Sequence, residues 1–155
     1  QVSLHWAVVV LIAFQYLGSE GIERAWRAFA RGEDTQDDFS GLALAHIMSG
    51  IAVLVLAIWR LVLRARVGAP PPHPSEPPAL QFLAKAVHFA IYALIIILPL
   101  SGMAAWGGGI TGAIRMHLIA KTILLPLIGL HVAGALVHHF IWRTDVLRRM
   151  FVPVN

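Results

Sequence analysis

The segment from Ile114 to Trp142 constrains the fold most, because it is almost entirely apolar and yet contains four of the eight histidines. At a rise of about 1.5 Å per residue, a helix of this length can cross a bilayer. An ionisable ring inside the bilayer costs free energy unless it faces a packed interior or a partner. His117 and His131 are 14 positions apart, which places both rings on one helix face, roughly 21 Å apart along its axis. We therefore expect two histidine sites at two depths, each completed from elsewhere in the chain.

The composition identifies a membrane protein and limits its cofactor chemistry. Of the 155 residues, 58% are hydrophobic and 13% charged, whereas soluble domains average about 45–50% apolar and about 25% charged residues. The sequence has no cysteine, which excludes disulfides, zinc–thiolate sites, iron–sulfur clusters and thioether-linked haem. Any metal or cofactor must therefore be held by histidine, methionine or carboxylate. Membrane lipid is an expected partner, and nucleic acid is not.

The apolar segments predict an all-α, integral membrane four-helix bundle that forms a single domain over residues 1–155. The expected spans are about 2–18, 39–63, 80–106 and 114–142, with an amphipathic outer segment at about 21–31 and a proline-rich cytoplasmic strap at 64–79. Because the sequence starts at Gln1 and not at Met, we expect further residues before it, which would lengthen the first span.

The lysines and arginines predict the orientation of the bundle. They cluster around the second connector and in the tail: Arg60, Arg64, Arg66 and Lys85, then Arg143, Arg148 and Arg149. The first loop is net acidic, and the third contains only Arg115. Short cytoplasmic loops carry an excess of lysine and arginine, so both termini and the strap are expected in the cytoplasm.

With this topology the membrane histidines form pairs. His46 and His117 lie near the outer ends of the second and fourth spans, while His5 and His131 lie toward the cytoplasmic side. Zinc usually takes three or four ligands, whereas a macrocycle that supplies four nitrogens needs only two axial ligands, so bis-histidine haem b fits the count. By depth alone, His138 competes with His131 as the partner of His5, since it lies one heptad later on nearly the same face.

Further cationic residues are expected at the inner level. Arg60 follows His46 by 14 positions and therefore shares its face about four turns further in. Together with Lys85, His88 and His138 it forms a candidate set of contacts for the propionate groups of an inner haem.

The combined motifs resemble the bacterial di-haem cytochrome b561 family. They are S-L-H-W at Ser3–Trp6, a histidine early in the second span, W-R-L-V-L-R at Trp59–Arg64, the proline-rich strap, G-L-H-x₃-A-x₂-H-H at Gly129–His139, and a basic tail. The resemblance covers essentially all four spans. It implies two haem b groups, with His5 and His131 as axial ligands of the inner haem and His46 and His117 as those of the outer haem. It also implies exchange of electrons with quinone, with ubiquinone as the candidate substrate and His88 and His138 as candidate quinone contacts.

The sequence therefore predicts a di-haem carrier in the bacterial cytoplasmic (inner) membrane that shuttles electrons between the quinone pool and another donor or acceptor. One alternative is a superoxide:ubiquinone oxidoreductase, an activity found in some members of the family. Another is a cytochrome b subunit or anchor of a larger redox complex, photosynthetic or respiratory. Electron transfer is favoured over superoxide oxidation, because the turn at Gly107–Gly112 is short and the outer face is net acidic, which does not attract an anionic substrate.

Overall fold

The computed structural model describes residues 1–33, 41–68, 76–145 and 147–151. Within these ranges the chain forms five α-helices and a short 3₁₀ helix in the tail. They are α1 (Val2–Leu17), α2 (Glu20–Ala30), α3 (Gly41–Val67), α4 (Pro78–Trp106), α5 (Thr111–Phe140) and the 3₁₀ helix (Arg148–Met150). The predicted all-helical class is confirmed.

Among the described residues, three helices are long and apolar enough to cross a membrane. These are α3, α4 and α5, with 27, 29 and 30 residues. Helices α1 and α2 pass the same test only as a pair, which is bent by 52° at the break between them. The chain thus has the character of a membrane helical bundle, with three such helices, or four spans if the bent pair of α1 and α2 counts as one.

Helix α3 extends beyond the predicted end of the second span. Its last turn contains Arg64 and Arg66, which are good helix formers and interact favourably with the negative end of the helix dipole. It ends at Gly68, which has a φ of 85° and whose N–H donates to the carbonyl of Arg64 at 2.9 Å, as is common after the last turn of a helix. Helix α4 then begins with proline at its first position, where the missing N–H costs nothing. The rest of the strap, including His73, lies outside the described residues, as does the predicted start of the second span.

Side chains from α3, α4 and α5 form the core of the bundle. Val53, Ala57, Ile95 and Leu124 make up one buried cluster, and Ala57 and Leu124 are 0% and 1% exposed. A small residue at such a point lets two membrane helices approach closely. The opposite face of α3 is apolar and exposed, as at Val55, and is available to lipid.

Helix α2 covers the amphipathic segment of the sequence and packs on α3. Its buried residues are small, namely Gly21, Ala25 and Ala28. Its aromatic residues instead lie beside the end of α4, where the rings of Phe29 and Trp106 are 5.8 Å apart between centroids. The tight helix contact is therefore made by the small residues and not by the aromatic ones.

The two ends of the chain meet at one end of the bundle. The indole N–H of Trp6 donates to the carbonyl of Met150 at 2.7 Å, and the rings of Trp6 and Phe151 are 5.0 Å apart. This contact closes the tail over the start of α1. That this end faces the cytoplasm remains a prediction of the charge distribution.

We expect Ala57→Leu to lower the free energy of unfolding by about 1–3 kcal/mol, because the larger side chain has no space where α3 meets the core. Detergent-solubilised protein titrated with sodium dodecyl sulfate and followed by circular dichroism measures this change. Val55→Leu, on the lipid-facing side of the same helix, is the control and should leave the midpoint unchanged. Equal effects of the two substitutions would contradict the packing described here.

Candidate functional site

The first histidine pair lies at the end of the bundle where the chain termini meet. The ring centroids of His5, on α1, and His131, on α5, are 6.2 Å apart. Two metal–nitrogen bonds of about 2 Å each, plus about 1 Å from each nitrogen to the centre of its ring, add up to about 6 Å. The two imidazoles therefore have the separation expected of ligands on opposite sides of one metal ion. We call them the inner pair.

His88 and Arg60 lie next to the inner pair. The His88 ring is 4.9 Å from that of His131, and its Nδ1 is 2.6 Å from the carbonyl oxygen of Ala84. A carbonyl only accepts hydrogen bonds, so this Nδ1 carries the proton and Nε2 keeps its lone pair. Arg60, on α3, interacts electrostatically with both rings of the inner pair. Arg60 therefore lies at the level of the inner pair.

No group of three or more histidine, aspartate or glutamate side chains is arranged as a metal site in the described part of the chain. His88 is thus a neighbour of the inner pair and does not complete a three-residue cluster. The donor set at this level consists of two imidazoles from two helices.

The second pair lies at the other end of α5. There His117 is oriented by α4, because its Nδ1 is 2.9 Å from the carbonyl oxygen of Leu98 and 3.3 Å from Oγ of Ser101. Since the carbonyl must accept, Nδ1–H donates to it and Nε2 is left free. A Cβ at Gly102 would lie 3.4 Å from two atoms of this ring, so glycine allows the ring to lie against α4. Sequence reasoning missed Ser101 and Gly102, whose only signal is their small size.

His46, on α3, lies close enough to His117 for the charges of the two rings to interact. We call them the outer pair. Nδ1 of His46 is buried and has no hydrogen-bond partner among the described residues, although buried polar atoms nearly always have one. The helix is fixed at this point by Gln15, whose amide donates to the carbonyl of His46 and to Oγ of Ser49, both at 2.8 Å. The outer pair thus contains an imidazole nitrogen that has no hydrogen-bond partner among the described residues and could bind a metal ion.

An ion pair lies beside the outer pair. Nζ of Lys121 is 3.1 Å from Oε1 of Glu23 on α2, and the hydroxyl of Tyr16 donates to the carbonyl of Lys121 at 2.6 Å. Lys121 also interacts electrostatically with His46 and His117. Sequence reasoning missed Glu23 and Tyr16, because the bend between α1 and α2 brings them to Lys121.

The structure also separates His138 from the inner pair. Nε2 of His138 is 3.4 Å from Oε1 of Glu76, and its Nδ1 is 3.3 Å from Oγ1 of Thr144. Both nitrogens therefore already have protein partners. The ring beside His5 is that of His131, and the choice of ligand that sequence depth left open stays a prediction. His139 is exposed and packs against Phe140, with ring centroids 4.8 Å apart.

Comparison with known proteins shows the family to which the chain belongs. The family profile described as prokaryotic cytochrome b561 matches residues 1–153. The chain is 32% identical to cytochrome b562 of Cereibacter sphaeroides over 154 residues, which cover 99% of this chain and 93% of the relative. It is 28% identical to the probable superoxide oxidase CybB of Yersinia pestis, over 97% of this chain and 92% of that protein. It is also 28% identical to cytochrome b561 homolog 1 of Escherichia coli, over 97% of this chain and 93% of that protein. The predicted resemblance is thereby confirmed, and the chain belongs to the prokaryotic cytochrome b561 family of haem-binding membrane proteins of electron transport.

Proposed function

We propose that the protein is a di-haem electron carrier of the bacterial inner membrane that exchanges electrons with the quinone pool. One observation carries this proposal. The rings of His5 and His131 lie 6.2 Å apart, His46 lies within electrostatic range of His117, and one member of each pair, His117 or His131, is on α5. Their positions on that helix separate the pairs by roughly 21 Å, which is most of the thickness of a hydrocarbon core.

Each pair would hold one haem b. His5 and His131 would bind the inner haem, and His46 and His117 the outer one. The 6.2 Å separation of the inner rings, the free Nε2 of His117 and the unsatisfied Nδ1 of His46 support this assignment. When bound, haem supplies reversible one-electron chemistry at its iron.

The chain's own residues orient and tune the ligands. The hydrogen bond from Nδ1 of His117 to the Leu98 carbonyl fixes the tautomer. It also makes the lone pair of Nε2 more basic and therefore a stronger metal ligand. At the inner level, Arg60 and His88 would contact propionate carboxylates or a quinone. His138, which is held by Glu76 and Thr144, would contact a quinone near the membrane surface.

A visible spectrum recorded before and after dithionite, with haem quantified per chain, tests the proposal. The expected result is two b-type haems per chain. Anaerobic addition of a short-chain ubiquinol should then reduce them without dithionite. A colourless protein would overturn the proposal and favour a histidine-based transporter of protons or metal ions. Two haems that do not react with ubiquinol would overturn only the quinone part.

We expect His46→Ala or His117→Ala to remove one haem per chain and to spare the other, because each substitution leaves the inner pair intact. Pyridine haemochrome analysis of the purified variants measures the loss. His139→Ala removes an exposed imidazole outside both pairs and should retain both haems. Loss of both haems from either outer substitution would show that the two sites are not independent.

We expect His138→Ala to retain the full haem content, since both ring nitrogens of His138 already have protein partners. His131→Ala is the matched comparison on the same helix and should lose the inner haem. Haem per chain and the reduced spectrum distinguish the two variants. The reverse result would make His138 the ligand opposite His5.

We expect Lys121→Gln to lower the midpoint potential of the outer haem by an amount on the order of tens of millivolts, because a positive charge near the iron favours the reduced form. The substitution also leaves the Glu23 carboxylate without its partner, which acts in the same direction. Potentiometric titration of the purified protein measures the shift. Arg115→Gln, an exposed site on the same helix, changes the charge equally and should have a smaller effect. A shift confined to the inner haem would contradict the assignment.

A superoxide:ubiquinone oxidoreductase is the second candidate function, since one relative is named a probable superoxide oxidase. Against it, two cations near the outer end, Lys121 and Arg31, are paired with Glu23 and Glu33, which weakens the attraction of an anionic substrate. Quinone reduction driven by an enzymatic superoxide source, with superoxide dismutase as the control, separates the two functions. Co-purification of a second chain would instead assign the cytochrome to a larger complex.

A further inference from the structure

A pocket of about 310 Å³ lies between α3 and α4, and no member of either histidine pair lines it. Its walls are mostly apolar and include Leu61, Phe89 and Tyr92. Phe89 is 76% exposed, so the pocket opens on the outer surface of the bundle, where lipid surrounds a membrane protein. Neither the haem ligands nor the ion pair beside the outer pair take part in it.

Two cations, Arg64 and Lys85, also line this pocket. The guanidinium of Arg64 lies 6.0 Å from the centre of the Tyr92 ring, a cation–π contact that holds it over the pocket wall. In the described ranges the ion pairs join Arg31 to Glu33, Lys121 to Glu23, and His138 to Glu76. Neither pocket cation has a carboxylate partner there.

The sequence around the pocket offers few acids to neutralise these charges. Residues 69–75 of the strap contain no aspartate or glutamate, and Glu76 is used by His138. Arg64 belongs to the last turn of α3, and Lys85 lies in the first part of α4. The pocket therefore lies at a basic end of the two helices, where the bilayer core gives way to headgroups.

From this combination we infer that the pocket binds an anionic phospholipid. Arg64 and Lys85 would hold the phosphate, and the acyl chain would lie along Leu61, Phe89 and Tyr92. Basic pockets between membrane helices bind acidic headgroups in this way, and arginine suits the geometry of a phosphate. A quinone ring carries no charge, so it would give neither cation an ionic partner.

The pocket also adjoins the inner pair. His88 forms part of its wall, and its ring is 4.9 Å from that of His131. A bound anionic headgroup would therefore lie one side chain away from the inner site. Lipid binding itself does not depend on the proposed function, but an effect on the inner haem does.

Native mass spectrometry of the purified chain tests the inference. The probes are phosphatidylglycerol and phosphatidylethanolamine with identical acyl chains. We expect a preference for phosphatidylglycerol, and roughly 10- to 30-fold weaker binding in the double variant Arg64→Gln/Lys85→Gln, since each cation contributes a separate attraction. Arg66→Gln removes an exposed charge from the same turn of α3, outside the pocket, and should bind phosphatidylglycerol like the unchanged protein.

Equal binding of the two lipids, or an equal loss in Arg66→Gln, would overturn the inference. Displacement of phosphatidylglycerol by a short-chain ubiquinone, itself abolished in the double variant, would assign the pocket to quinone. Displacement by inorganic phosphate at equal concentration would reduce it to an anion site without a role for the acyl chain, which also contradicts the inference. Arg64→Lys keeps the charge and should retain most of the binding, so it separates loss of the site from failure to fold.

A second readout connects the pocket to the redox site. In the unchanged protein, phosphatidylglycerol should lower the midpoint potential of the inner haem relative to phosphatidylethanolamine, and the double variant should lose this difference. Haem content should be the same in Arg66→Gln and in the unchanged protein. A lipid preference without two haems would leave the lipid site standing and overturn the proposed function, whereas two haems without a lipid preference would do the reverse.

Discussion

The structure depends on one constraint, which is that an imidazole at membrane depth must face a partner within the protein. The bilayer core offers no water to satisfy a polar ring. Helix α5 contains two such rings on one face, and the histidines that complete the pairs, His5 and His46, come from α1 and α3. Small residues make this approach possible, as at Gly102, where a side chain would press on the ring of His117. The positions of the helices and of the histidines are therefore set together.

The two histidine pairs have different charged neighbours. At the outer pair, Lys121 is matched by Glu23, and nearby Arg31 is matched by Glu33. At the inner pair, Arg60, Arg64 and Lys85 have no carboxylate partner among the described residues. The cations beside the inner pair suit propionates, a negatively charged leaflet and anionic lipid.

Membership of the cytochrome b561 family does not by itself decide between these activities. Its relatives include proteins named as a cytochrome b562, a probable superoxide oxidase and a cytochrome b561 homolog. A shared scaffold hosts different functions through local differences in its sites. In this chain, the ion pair between α2 and α5 and the basic pocket between α3 and α4 are such local features.

The sequence by itself determined the helical class, the apolar helices and the common face of His117 and His131, because hydropathy and the period of a helix are local properties of the chain. The observed helix ends differ from the predicted ends of the spans by a few residues. Helix α3, for example, continues to Val67, since arginine is a good helix former and extends the helix past the apolar segment. Only the tertiary structure decided that His131 and not His138 lies beside His5, and that His138 pairs with Glu76. It also brought Glu23 to Lys121, across 98 positions of sequence. The face of a helix on which a residue lies follows from its position in the sequence, but the distance between two side chains on different helices depends on how those helices pack.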